Sequence, residues 1–282
     1  MARLRPKPIA TTTATAMFEY DFMRTAFMAG GVVAIVAGTV GYFLVLRNLT
    51  FAGHALSHVG FAGATGSVLL GIGALWGLLA FTLAAAVAMG SLGDRLRNRD
   101  VAVGIILSLA LGLGVLFLYL YTTSASEATA ILFGNVLGVD VETLWGLLGL
   151  SVVGMLALAA ISRPLLFATL APELAEAKGV SLRLVSVLFL AIVAVAVAEA
   201  AQVVGVLLVF ALMVGPAAAS LRLASRLRAG VALSVVLALA ETWGGIVLAY
   251  VTDWPTTFWI VLLSCLVYFL SFAKRPAASL AA

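Results

Sequence analysis

From residue 26 onward the chain is a succession of uncharged or nearly uncharged runs, at 26–46, 51–72, 74–92, 101–121, 143–161, 184–198, 203–221, 230–250 and 257–273. A hydrocarbon core of about 30 Å is crossed by roughly 20 helical residues, and most of these runs have that length. No water is available there to satisfy a bare backbone, so each run must close its own hydrogen bonds as a helix. The expected fold is therefore all-α, a polytopic membrane protein with about eight to nine transmembrane helices, some of them broken or re-entrant. With 64% hydrophobic and 10% charged residues, nothing remains from which to build a soluble core. The expected organisation is an N-terminal tail and interfacial lead-in at 1–25, one membrane domain at 26–273 and a cytoplasmic tail at 274–282. The first run, Ala26 to Leu46, is long enough to span and is followed by further runs, so it reads as a span and not as a cleaved signal.

The charges between the runs set an orientation. If the first run ends inside at Arg47, the inner loops carry Arg95, Arg97 and Arg99; Arg163, Lys178 and Arg183; Arg222, Arg226 and Arg228; and Lys274 and Arg275. The outer loops 122–142 and 251–256 then hold Glu127, Asp140, Glu142 and Asp253 and no basic residue, as the positive-inside rule requires. The net charge of +4 is thus spent on orientation and does not mark a nucleic-acid surface. Nine crossings would leave Arg3, Arg5 and Lys7 outside against the rule. Either one run is broken, the candidates being the glycine-rich stretch after Phe51 and the 184–219 region, or the tail is an exception.

The chain's two histidines, His54 and His58, lie in FAGHALSHVGFAGATGSVLLG, residues 51–71. On a helix, positions four apart share one face, so both imidazoles can meet one ligand. The alternative is an ordinary polar contact between helices. Other costly polar groups inside runs are Glu199, Gln202 and Glu241, and polar groups at such depth point to function. Imidazole suits zinc and its neighbours in the first transition row, while a carboxylate admits harder ions such as manganese. A pathway for a divalent cation follows.

Other chemistries lack their parts. The three lysines, Lys7, Lys178 and Lys274, fit no phosphate-binding Walker loop, so the chain does not hydrolyse ATP in that way. Ser57 lies between the histidines with no carboxylate to orient either ring, and H-x-x-x-H lacks the glutamate base of a metalloprotease. The single cysteine, Cys265, permits neither an internal disulfide nor a thiolate cluster.

Two connecting segments have grammar of their own. ILFGNVLGV, residues 131–139, suits a close helix contact or a short helix at the outer surface. APELAEAKGV, residues 171–180, reads as a short inner helix, with Pro172 first, Glu173 in the first turn, Lys178 in the last and Gly179 as a left-handed cap. It is either a docking knob for a cytoplasmic partner or a solvated turn between two spans.

At this point the residues match a family. HALSHVGFAGATGSVLLG resembles the D-A-L-S-H-A-x-L-P-G signature of the permease subunits of metal-type ABC importers, for zinc, manganese and iron. The resemblance continues through 101–118, 131–139, 172–180 and QVVGVLLVFALMVGPAAAS at 202–220. It implies a homodimeric permease in the bacterial plasma membrane, powered by a cytoplasmic ABC ATPase subunit and fed by an extracytoplasmic metal-binding protein. It requires no cofactor beyond the transported divalent ion. The family's coupling helix falls on Pro172, Glu173, Ala175, Glu176 and Gly179, with Glu173 and the alanines expected to face the ATPase. The family's Asp-x-x-x-His pair falls on His54 and His58, with Glu199 as a further candidate ligand. His54 stands where the family has Asp, which leans the expectation toward zinc. The competing readings are a metal-chelate permease, an ion-driven secondary transporter or channel, and an intramembrane enzyme.

Overall fold

The computed structural model describes residue 17 and residues 19–91, 99–120 and 132–273. The expectations for the terminal tails, for Arg95, Arg97 and Glu127, and for Lys274 and Arg275 lie outside the described residues. The described chain forms helices α1 (Asp21–Leu46), α2 (Thr50–Leu69), α3 (Ala74–Ser91), α4 (Arg99–Leu120), α5 (Val141–Leu170), α6 (Pro172–Ala177), α7 (Leu182–Val204), α8 (Val206–Leu223), α9 (Leu227–Thr252) and α10 (Thr256–Leu270). Eight of these helices, α10 counted with the short 3-10 turn that follows it, are long and apolar enough to cross a membrane. The histidine-bearing α2 is the remaining long helix. Its histidines, glycines and hydroxyls dilute its hydropathy, and among the described helices of 18 residues or more it alone is not apolar enough to count as a span by itself.

Two helices form the centre. α1 packs against α5, α7, α8 and α9, and α7 packs against α1, α2, α3, α5 and α8. α2 is held between α3, α4, α7 and α8, while α4, α5 and α10 present most of their surface outward. Helices in lipid associate through close packing and not through the hydrophobic effect, so small residues set the contacts. At the α2–α3 crossing, a Cβ added to Gly63 or to Gly77 would run into the other's carbonyl oxygen. The two backbones touch there, and only glycine permits it.

Three boundaries differ from expectation. α1 already begins at Asp21, taking up part of the expected lead-in. α5 continues through Pro164 to Leu170, where a loop was expected from residue 163. Proline removes one hydrogen bond from a helix but does not forbid it. Leu165 and Ala168, 0% and 6% exposed, anchor the turns beyond it. At 30 residues α5 is about 45 Å long, so it outruns the hydrocarbon core and carries α6 clear of it. Finally, of the two segments expected to be broken, α2 is continuous and the other is interrupted by one residue, Gly205.

That interruption is built from two glycines. Gly205 (φ +84°) and Gly134 (φ +71°) both adopt left-handed backbone, and a Cβ on either would strike the main chain of the other. The segment around Gly134, followed by a 3-10 turn at Val136–Gly138 with Val136 buried, is therefore seated on the α7–α8 junction. Arg47, just after α1, reaches Thr169 (3.4 Å) and lies over the Phe189 ring, so the ends of α1 and α5 and the start of α7 share the end that the charge pattern assigns to the cytoplasm. Val204 is fifteen residues beyond Phe189, about 22 Å along the helix, whereas α1 extends about 39 Å.

Two tests follow. In a Cys265→Ser background, Asp253→Cys should react with an impermeant thiol reagent on intact cells and Ser225→Cys only after the membrane is opened; labelling of Ser225→Cys in intact cells would reverse the orientation. Gly77→Val should destabilise the purified protein by about 3 kcal/mol or more through overpacking. Gly104→Ala, where an added Cβ meets nothing within 4 Å, should be neutral or stabilising by up to about 1 kcal/mol, read as melting temperature in detergent.

Candidate metal-ion site

α2 is enclosed from Val59 to Ser67, and its last two residues, Val68 and Leu69, are partly exposed. Its inner half opens along one side, at Thr50, Phe51, His54 and His58. The two imidazoles therefore lie on a part of α2 that other helices leave partly uncovered. Their ring centres are 4.6 Å apart at an interplanar angle of 85°. Two imidazoles sharing one ion at a metal–nitrogen distance of about 2.1 Å hold their ring centres about 4.5–5.2 Å apart, so this spacing suits a common ligand. Nδ1 of His54 is buried without a hydrogen-bond partner. The Phe210 ring of α8 stands edge-to-face with His54 at 5.0 Å and closes the pair from one side. Ser57 between them donates its hydroxyl to the Gly53 carbonyl of its own helix (3.2 Å).

Glu199 is placed differently. It lies on α7, 1% exposed, with Oε2 accepting from the Ser151 hydroxyl of α5 at 2.8 Å. Among the described residues no three His, Cys, Asp or Glu side chains gather as a metal cluster, so Glu199 does not join the histidines in this state. Glu241, also 1% exposed, sits on α9 beside Ser264 of α10, away from both. Two participants were not read from the sequence. Phe210 and Ser151 carry no local signal; only the fold brings them to His54 and Glu199.

At the inner end, α6 has the expected capping. Gly179 (φ +84°) ends it, with Gly179 N–H donating to the Glu176 carbonyl and Val180 N–H to the Ala175 carbonyl, both at 2.9 Å. Its orientation corrects one expectation. Ala175 is 0% exposed, turned onto α5 and α7, and cannot face a partner. The exposed side is Glu173, Leu174 (52% exposed), Glu176 and Ala177. A six-residue helix at the end of a 30-residue one needs such an inward anchor to hold its direction.

An all-helical membrane domain with a polar pair at a lateral opening, and a capped helix held beyond the bilayer on the inner side, has the parts of a transport permease. Residues 19–275 match the ABC 3 transport family, and the chain belongs to it. It is 30% identical over 259 residues to the manganese import system permease protein ScaB of Streptococcus parasanguinis, covering 92% of each chain. It is 27% identical over 271 residues to the manganese transport system membrane protein MntC of Listeria monocytogenes, covering 94% of each. Its structure is similar to the solved PsaBC from Streptococcus pneumoniae in complex with Fab, with a TM-score of 0.83, 27% identity, and coverage of 93% of this chain and 95% of that one. The protein is a multi-pass ABC transporter permease of the bacterial plasma membrane.

The orientation of α6 gives a test. Ala175→Arg should lower membrane abundance at least severalfold, because it forces a charge into the seat of the helix. Leu174→Arg, on the exposed side, should leave abundance unchanged on an immunoblot.

Proposed function

We propose that this permease moves a divalent transition-metal ion into the cytoplasm by alternating access, with His54 and His58 as the transient site. The observation that carries this reading is the pair itself: two imidazoles at ligand-sharing distance, on a side of α2 that the other helices leave partly open. Two nitrogens are fewer than the three or four protein ligands of a tight zinc site, which suits a site that must release its ion. Histidine at both positions admits zinc, while the names of the relatives carry manganese. In this reading the energy comes from a separate ATPase that docks on the exposed side of α6, a second copy of the chain completes the permease, and an extracytoplasmic protein delivers the ion. The relatives named as permease components of import systems support the division of labour.

Uptake of radioactive manganese, zinc and iron by cells carrying or lacking the system tests the substrate. His58→Ala should reduce uptake of the transported ion at least tenfold at unchanged membrane abundance. His54→Asp should retain transport and raise the manganese-to-zinc ratio, since carboxylate favours the harder ion. Wild-type uptake by the His54→Ala, His58→Ala double variant would make the pair a mere interhelical contact. Leu174→Arg should separate ATP hydrolysis from uptake, and normal uptake with that substitution would free α6 of its docking role.

A further inference from the structure

We infer that the last turns of α7 carry a second cation station, made of oxygen donors, on the outer side of the histidine pair. The inference rests on the reading of the chain as a metal-ion permease and adds a site to it. Glu199 is almost wholly buried, and only one of its carboxyl oxygens is used, by Ser151. Its Oε1 is buried without a partner, and so is Oε1 of Gln202. Positions three apart are neighbours on a helix surface, so the two side chains leave α7 from the same side. Unmet buried acceptors are costly, and what they lack is a positive or proton-bearing group. Among the described residues Glu199 makes no ion pair.

The surrounding backbone favours the same occupant. α7 ends two residues after Gln202, and the terminal carbonyls of a helix with its dipole make that end negative. Discontinuous membrane helices use such C-terminal ends to hold cations. Glu199 is ten residues beyond Phe189, the ring over which Arg47 lies, about 15 Å along α7, whereas His58 is eight residues beyond Thr50, about 12 Å along α2. The station therefore stands slightly further out than the pair, directly beneath the Gly205 junction on which the Gly134 segment sits. One carboxylate with neutral oxygens selects a hard divalent ion, manganese over zinc, and holds it loosely. It supplies the donor type that the histidine pair lacks.

The probe is Mn²⁺ alone, added to the purified full-length chain in lipid nanodiscs and followed by electron paramagnetic resonance. The His54→Ala, His58→Ala double variant should still bind one weakly held Mn²⁺, and adding Glu199→Gln should abolish it. Glu199→Gln preserves the side-chain volume, and an unchanged melting temperature would confirm its fold. Gln202→Glu, which adds a carboxylate, should instead tighten Mn²⁺ binding roughly tenfold, a scale usual for partners of a metal site. In cells, Glu199→Gln should lower manganese uptake more than zinc uptake. The station is overturned if the double variant binds no Mn²⁺, if Glu199→Gln leaves its binding intact, or if both metals lose uptake equally. None of these results bears on the histidine pair, which stands or falls with His58→Ala.

Discussion

Lipid chains are as apolar as leucine, so two apolar helices in a bilayer gain nothing from hydrophobicity by meeting. They meet only where their backbones can come close enough for dispersion and hydrogen bonds to exceed what lipid offers. In this permease those places are glycines. Gly41 of α1 lies against the Met213 main chain of α8, and Gly38 lies against Ser234 and Val235 of α9. The Ser234 hydroxyl donates to the Gly38 carbonyl at 2.7 Å. These contacts hold α1 in the middle of the bundle, and α8 and α9 are positioned from it. Since α8 carries Phe210, the environment of His54 depends on the same contacts.

Polarity is distributed along the same logic. α2 is too polar to face lipid, so it is largely surrounded, and the histidines lie on a side its neighbours leave partly open. An unsatisfied group at this depth is expensive, and the bundle concentrates such groups on few positions: Nδ1 of His54, Oε1 of Glu199 and Oε1 of Gln202 among them. The ordinary hydroxyls are treated differently. Thr65, Ser67 and Ser220 return their protons to carbonyls of their own helices. Not every hydroxyl is met in this way, since those of Tyr42 and Thr242 are buried without a partner.

Much of this could be read from the residues in order. Helix positions follow from run length, because a bilayer leaves the backbone no alternative, and the end of α6 follows from Gly179. What escaped reading depended on contacts between distant segments. Pro164 reads locally as a break, yet Leu165 and Ala168 are buried and keep the helix going. Ala175 reads as one of several exposed alanines until α5 and α7 are placed around it. That Ser151, forty-eight residues earlier, donates to one oxygen of Glu199 is likewise visible only once α5 and α7 are packed together. The segment around Gly134 suggested a helix contact or a short outer helix, and nothing local singled out Gly205; that the two glycines belong to one junction is a fact of tertiary structure.

The central position of α1 has a consequence for biosynthesis. Of the described helices it is the first to be translated, but α7, which covers it, begins at Leu182, 136 residues after Leu46, and α8 and α9 come later still. Domains dominated by distant contacts assemble slowly and pass through incompletely packed intermediates. Through most of translation, then, the glycine-lined face of α1 is bounded by lipid or by the insertion machinery. A ribosome that stalls before α9 leaves that face unmatched, a mark by which membrane proteases can tell an unfinished permease from a finished one.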